Sequence, residues 1–302
     1  MPTNSKLNFA FFGTPDVASE TLEILKENGY LPSLIVTAPD KPQGRKMIVT
    51  PPPAKVWAEK NNIPFIQPEK LSGSDLEFFV AEGPASAKAK LAEEGRRREK
   101  FQVAGAFDLF VVVAYGKILP EEIINLPKFG SINIHYSLLP KYRGASPVES
   151  AILNGDTETG IGIQKMEFKM DSGPIIAQEK VAILPEEKAP DLRKRLIKIG
   201  GELLVKTLET PSAFGHSPFT GGEKQNEDEA TYCKKIKKEE GLIDLNDDPI
   251  KNYNKFRAYA AWPRTFFFKE GKRIIITDAK LENGEFKILK IIPEGGKETT
   301  WK

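Results

Sequence analysis

The sequence predicts an α/β protein, with a Rossmann-like, open and mostly parallel sheet in a larger N-terminal domain and a smaller C-terminal β-barrel of OB-like type. Three observations predict it. Short runs of apolar residues recur through the first half, the form taken by strands covered on both faces. Amphipathic stretches alternate with them, which is the order of an open α/β sheet. After a polar stretch at residues 209–230, short strand-like runs separated by turns replace that alternation.

The elements follow in order. Residues 7–13 (LNFAFFG) read as a buried strand that stops at a glycine, and Pro15-Asp16 opens a helix marked by Val17, Leu22 and Leu25. A second strand is expected over 31–36, a helix over 51–60 after a proline-rich entry, and a short third strand over 63–66. Residues 72–102 are rich in Ala, Glu, Lys and Arg and include Arg96-Arg97-Arg98, a composition that favours a solvated helix broken at Gly83-Pro84. Residues 107–114 (FDLFVVVA) give the strongest strand signal, and 130–136 (GSINIHY) another. Beyond them come a short helix at 146–153, β-like segments at 161–168 and 175–183, and a long amphipathic helix at 191–208. The boundaries expected are therefore a domain at 1–208, a linker at 209–230 and a β-rich domain at 231–302 with strands near 266–268, 274–276 and 286–289.

Composition excludes several classes. No stretch approaches the roughly 18 consecutive apolar residues of a membrane span, and residues 1–6 lead into a strand without the apolar core of a secretory signal. The single cysteine, Cys233, rules out an intrachain disulfide and any multi-cysteine metal site, so a cytoplasmic protein without a metal is expected. A formal net charge of +2 argues for no partner by itself. Residues 231–302 carry 16 Lys and Arg against 11 Asp and Glu, an excess that would attract phosphate but that a lysine-rich surface explains as well. No large apolar surface announces an oligomer, and a monomer is expected.

Only two histidines occur, His135 and His216, and His216 lies in the polar linker. His135 sits in Asn133-Ile134-His135 near the carboxyl end of a predicted strand. Residues i and i+2 share a face of a strand, so the two polar side chains project together. Two buried polar groups on one face are costly unless hydrogen-bonded or used, and open α/β sheets place ligands at strand carboxyl ends. The loop 137–147 (SLLPKYRGASP) follows, and Asp171 stands in a turn, Asp171-Ser172-Gly173-Pro174, where ordinary turn chemistry would account for it.

Asn-x-His followed by Ser-Leu-Leu-Pro-x-x-Arg-Gly and then Asp-Ser-Gly-Pro resembles the folate-dependent formyltransferases. Further features agree: Phe12-Gly13-Thr14-Pro15, Pro39-Asp40-Lys41-Pro42-x-Gly44-Arg45, residues 51–55 leading a helix, the run 113–120 (VAYGKILP), and Pro293-Glu294-Gly295-Gly296-Lys297. The resemblance covers nearly the whole chain. It departs in two places: the segment 72–102 is longer than the family has there, and the chain stops at Trp301-Lys302 where relatives commonly continue.

The resemblance implies transfer of the formyl group of 10-formyltetrahydrofolate to an amine, here the methionine amino group on initiator tRNA, for translation initiation. It implies that Asn133 and a protonated His135 donate to the formyl oxyanion, and that Asp171 supports the imidazole and relays a proton. It implies a folate pocket lined by Tyr115, Gly116, Ser137, Leu138, Leu139 and Pro140, and a tRNA-contacting loop at 39–53 with Arg45 and Lys46 as contacts. The alternative it leaves is a sugar-nucleotide N-formyltransferase with the same donor and the same three residues.

Overall fold

A computed structural model of the protein describes residues 7–44, 46–72, 107–209 and 221–301. Arg45, His216, Arg96-Arg97-Arg98 and nearly all of the helix expected over 72–102 lie outside the described residues.

The chain opens with β1 (Phe9–Gly13), whose five residues are all buried. Gly13 is required where it leaves the strand: a Cβ there would stand 2.5 Å from the Ala18 side chain and 2.9 Å from the Val113 carbonyl oxygen. Helix α1 (Asp16–Glu27) buries Ala18, Thr21, Leu22 and Leu25, a spacing of three, one and three that makes one stripe. Asp16 lies in its first turn and Lys26 in its last, both favourable to the helix dipole. Then come β2 (Leu34–Val36), a hairpin of β3 (Lys41–Gln43) and β4 (Ile48–Thr50), α2 (Pro53–Lys60), β5 (Phe65–Ile66), β6 (Leu109–Val113), α3 (Glu121–Ile124) and β7 (Ser131–His135). The chain continues through β8 (Arg143–Gly144), α4 (Pro147–Leu153), β9 (Glu158–Lys165), β10 (Ile175–Ala182) and α5 (Ala189–Glu209).

Seven strands make one sheet in the order β10-β9-β7-β6-β1-β2-β5. The pairs β1–β2, β1–β6, β6–β7 and β2–β5 are all parallel. β6, like β1, is buried along its whole length, as parallel strands covered on both faces are. On one face Phe12 meets Phe110 at 4.9 Å between ring centroids and Tyr115 edge-on at 5.6 Å, inside a core that includes Ala10, Leu34, Val36, Leu119 and Ile123. The expected α/β sheet is what forms.

The C-terminal part holds β11 (Tyr232–Cys233), α6 (Pro249–Ala258), β12 (Phe266–Lys269), β13 (Lys272–Glu282), β14 (Glu285–Pro293) and β15 (Thr299–Thr300). The last four form an antiparallel sheet in sequence order, β12-β13-β14-β15. Ile243, Tyr253, Phe256, Phe267, Ile274, Ile276 and Ile291 are its core, and Trp301 closes on Phe267 at 5.5 Å between centroids. Helix α6 was not expected from the sequence; it begins on an Asp248 cap that accepts from the Lys251 amide at 2.8 Å.

By internal contacts the chain divides into two compact units. One comprises residues 1–135, 163–177 and 200–225, the other 136–162, 178–199 and 226–302, so the division passes through β9, β10 and α5. Among the described residues no helix is long and apolar enough to cross a membrane.

Candidate active site

The site is built from β7 and the turn at Asp171, both in the first unit. Ile132 and Ile134 are buried as the strand alternates, Asn133 is half-buried and His135 is buried at 6% exposure. Ser131 anchors the strand's start through a hydroxyl that donates to the Ile124 carbonyl at 2.7 Å.

Asp171 reaches the pair from an unusual backbone position. Its φ is +51°, left-handed for a residue with a side chain. The turn is forced tight by Gly173, where a Cβ would lie 1.8 Å from the Lys165 carbonyl oxygen. The result is convergence of the three expected residues. The Asn133 amide donates to Asp171 Oδ1 at 3.5 Å, and His135 Nδ1 lies 3.6 Å from Asp171 Oδ2. Both distances are long, as catalytic contacts often are before substrate tightens them.

Two residues that sequence reasoning passed over also touch this turn. Gln164, 2% exposed on β9, donates to Asp171 Oδ1 at 2.9 Å. Gln225, 5% exposed, donates from Nε2 to the carbonyl oxygens of Asp171 at 2.9 Å and Gly173 at 2.7 Å. Gln164 carried a signal, being a polar residue beside Ile161 and Ile163 on a buried strand. Gln225 carried none, since it lies in a stretch that reads as linker.

The residues expected to hold folate fall in two places. Tyr115 is 3% exposed and its ring belongs to the core of the first unit, while its carbonyl oxygen accepts from the Thr14 hydroxyl at 3.0 Å. What that turn offers a ligand is therefore main chain: Ala114 and Gly116 are exposed, with φ of +49° and +78°. Ser137, Leu138, Leu139 and Pro140 belong to the second unit. Ser137 is fully buried and its hydroxyl donates to the Lys141 carbonyl, so it closes the loop on itself. Leu139 is buried and precedes a cis peptide bond to Pro140, while Leu138 and Pro140 are half-exposed.

Lys46 is exposed at the tip of the β3–β4 hairpin, beside Met47, Ile48 and Val49, each more than 60% exposed. The foot of the hairpin is fixed by Asp40, which accepts from Gln67 and from Lys55, each at 2.7 Å. The Gln67 amide first, and then the Lys55 ammonium, hold the Asp40 carboxyl below the usual carboxylate range.

In the second unit, Arg143 is fully buried and held by Glu227 at 2.7 and 3.2 Å and by the Tyr232 hydroxyl at 3.2 Å. Among the described residues no group of three or more His, Cys, Asp or Glu side chains is placed to hold a metal ion.

A preorganised amide and imidazole beside a carboxylate can stabilise an oxyanion and move a proton. Comparison with known proteins agrees in class. Residues 6–208 match the formyl transferase family model, and residues 235–297 match the model of the formyl transferase C-terminal domain. A methionyl-tRNA formyltransferase of Caldicellulosiruptor saccharolyticus is 40% identical over 283 residues, 92% of this chain and 82% of that protein. Among solved structures, a sugar 3N-formyl transferase matches with a TM-score of 0.62 at 19% identity, covering 92% of this chain and 88% of that one. A methionyl-tRNA formyltransferase from Clostridium thermocellum matches with a TM-score of 0.55 at 18% identity, covering 98% and 99%. At those identities the structural matches speak for the fold alone.

Proposed function

This chain belongs to the formyl transferase family, and from that premise we propose that it transfers the formyl group of 10-formyltetrahydrofolate to the methionine amino group of initiator methionyl-tRNA. The observation that carries the reading is the convergence of Asn133 and His135 of β7 on the Asp171 carboxylate. The acceptor is assigned from the 40% identity to a methionyl-tRNA formyltransferase over most of both chains, against 19% for the sugar 3N-formyl transferase.

In this reading the Asn133 amide and the His135 imidazole donate to the formyl oxygen as the amine adds and negative charge collects there. Asp171, facing Nδ1 of the ring, fixes the imidazole's orientation. The same carboxylate takes the proton that the attacking amine loses, and that proton passes to the folate nitrogen as its bond to the formyl carbon breaks and tetrahydrofolate leaves. The folate is assigned to the main chain at Tyr115 and Gly116 and to the bend at Ser137, Leu138, Leu139 and Pro140. Arg45 and Lys46 are assigned to the tRNA, and the exposed hairpin tip supports that assignment for Lys46. Residues 1–208 are assigned as the catalytic domain, 209–230 as linker and 231–302 as a tRNA-binding domain. The enzyme is read as a cytoplasmic monomer; its single cysteine, Cys233, is buried, which fits a reducing compartment.

The test is transfer of labelled formyl from 10-formyltetrahydrofolate to Met-tRNA, with His135→Ala and Asn133→Ala alongside. Label is expected on initiator Met-tRNA, and each variant is expected to lose about 10²–10³ in kcat. Absence of transfer by folded, folate-binding protein would sink the tRNA assignment and direct the assay to amino-sugar nucleotides.

A further inference from the structure

We propose that Gln164 and Gln225 form a positioning relay that holds the Asp171 carboxylate for His135, a proposal that rests on the reading of Asp171 as part of the reacting group.

The relay starts on the main chain. Glu223 and Ile175 exchange a pair of backbone hydrogen bonds, each 2.8 Å, which fixes the segment carrying Gln225 to the first residue of β10. From there the Gln225 Nε2 reaches three acceptors: the Gly173 oxygen at 2.7 Å, the Asp171 oxygen at 2.9 Å and Gln164 Oε1 at 3.4 Å. An amide nitrogen has two hydrogens, so the two short bonds bracket the turn and the third is shared. The bracketed turn is the one strained at Asp171, with φ +51°, and pinched at Gly173. Holding both of its carbonyls compensates for a backbone conformation that costs a side-chain-bearing residue on the order of 1 kcal/mol or more.

The third contact decides an orientation. A side-chain amide can be turned either way, presenting its oxygen or its NH₂ to a given neighbour. The Gln225 N–H faces Gln164 Oε1, so Gln164 must present its NH₂ to Asp171 Oδ1, where the distance is 2.9 Å. Turned over, Gln164 would place an oxygen against the carboxylate and repel it. With Oδ1 held by a donor, Oδ2 is the oxygen that faces His135 Nδ1. Both glutamines act through Asp171, Gln164 on its carboxylate and Gln225 on its main chain. Both are almost fully buried, where an unsatisfied amide is costly and a satisfied one is rigid.

Three variants test the relay. Gln164→Met keeps the volume and removes the donor. Gln225→Glu keeps the shape and, when ionised, removes the N–H groups; Gln225→Ala removes the side chain. Each is expected to lower kcat on the order of tenfold, short of the roughly hundredfold that a 1 Å misplacement of a reacting group costs. KM for the folate donor and for the acceptor should stay within about twofold. The double variant Gln164→Met/Gln225→Ala should lose less than the product of the two single losses, because both act on the one Asp171 residue.

A second measurement needs no turnover. The chain has two histidines, so the ¹⁵N resonance of the His135 imidazole can be followed alone at fixed pH against a His216→Gln control. It should move in all three variants. Unchanged kcat in Gln164→Met, a loss carried by KM, an additive double variant or an unmoved His135 resonance would each overturn the relay. If wild-type enzyme fails to formylate Met-tRNA while the resonance moves in the variants, the acceptor assignment falls and the relay stands.

Discussion

At the scale of single residues, two positions are set by what surrounds them. Gly173 is one: any side chain would collide with the Lys165 carbonyl. Gly173→Ala is expected to fold with the Asp171 turn displaced and to lose about a hundredfold in kcat, by the cost of misplacing a reacting group by about 1 Å. Steady-state kinetics beside a near-native circular dichroism spectrum is the check. Arg143 is the other, and its pairing is lopsided, because the guanidinium is fully buried while the Glu227 side chain is 51% exposed. Removing Glu227 takes the carboxylate from a buried cation, whereas removing Arg143 leaves a carboxylate that water can reach. Glu227→Ala is therefore expected to cost about 3 kcal/mol in urea unfolding, the low end for a broken buried pair because the Tyr232 hydroxyl remains. Legibility at this scale followed local geometry. Asn133 and His135 could be paired from sequence because the strand period of two is a local rule. That Asp171 faces them, and that Gln225 brackets its turn, depend on contacts 38 and 54 residues away along the chain, which no local pattern encodes.

At the scale of elements, the strands were legible because β1, β6 and β7 are apolar on one or both faces, and burial of that kind leaves its mark in composition. Helix α6 was not, although Asp248-Pro249 is a proper cap and first turn. Its buried face includes Asn252, Asn254 and Arg257, so hydrophobic periodicity is erased where the helix packs. Asn252 donates to the Asp244 carbonyl at 2.7 Å and Arg257 to Asn254 Oδ1 at 2.6 Å, while Arg257 Nε is buried with no hydrogen-bond partner among the described residues. The start signal is then worth testing by itself, and Asp248→Ala is expected to cost about 1 kcal/mol by thermal or urea unfolding. The β3–β4 hairpin was hidden for the opposite reason, since β3 is wholly exposed and carries Pro42. Asp40 at its foot gives it a pH dependence whose sign is fixed. Its folded carboxyl titrates below the unfolded value of about 3.9, so its contribution is present above that value and fades as pH falls through the folded one. Wild type and Asp40→Asn should differ in Tm at pH 7 and converge in acid, once the folded carboxyl is protonated as well. A gap that persists in acid would assign the effect to packing.

At the scale of the whole molecule, the chain is woven more than its composition suggests. The polar stretch before residue 231 reads as a linker, yet its described end does structural work. Glu223 pairs with Ile175, Gln225 brackets the Asp171 turn, and Thr231 donates its amide to the Pro140 carbonyl at 3.2 Å. Residues 136–162 and 178–199 belong to the same compact unit as the C-terminal residues, and α4 lies against α6 within that unit. Val148, Ala151 and Ile152 of α4 are at most 3% exposed there. Cutting the chain at residue 230 would keep α4 and delete α6 with the whole antiparallel sheet. At roughly 25 cal/mol per Å² of apolar surface, uncovering even a few such side chains costs several kcal/mol, which is comparable to the stability of an ordinary domain. The fragment 1–230 is therefore expected to bind a hydrophobic dye, to melt well below the full chain and to lose formyl transfer even at high acceptor concentration. If the C-terminal residues only add tRNA affinity, the fragment would instead keep the parent Tm and recover its rate when acceptor is raised. Melting curves and saturation kinetics on the two proteins separate these outcomes, because a docking module changes KM while a shared core changes the fold.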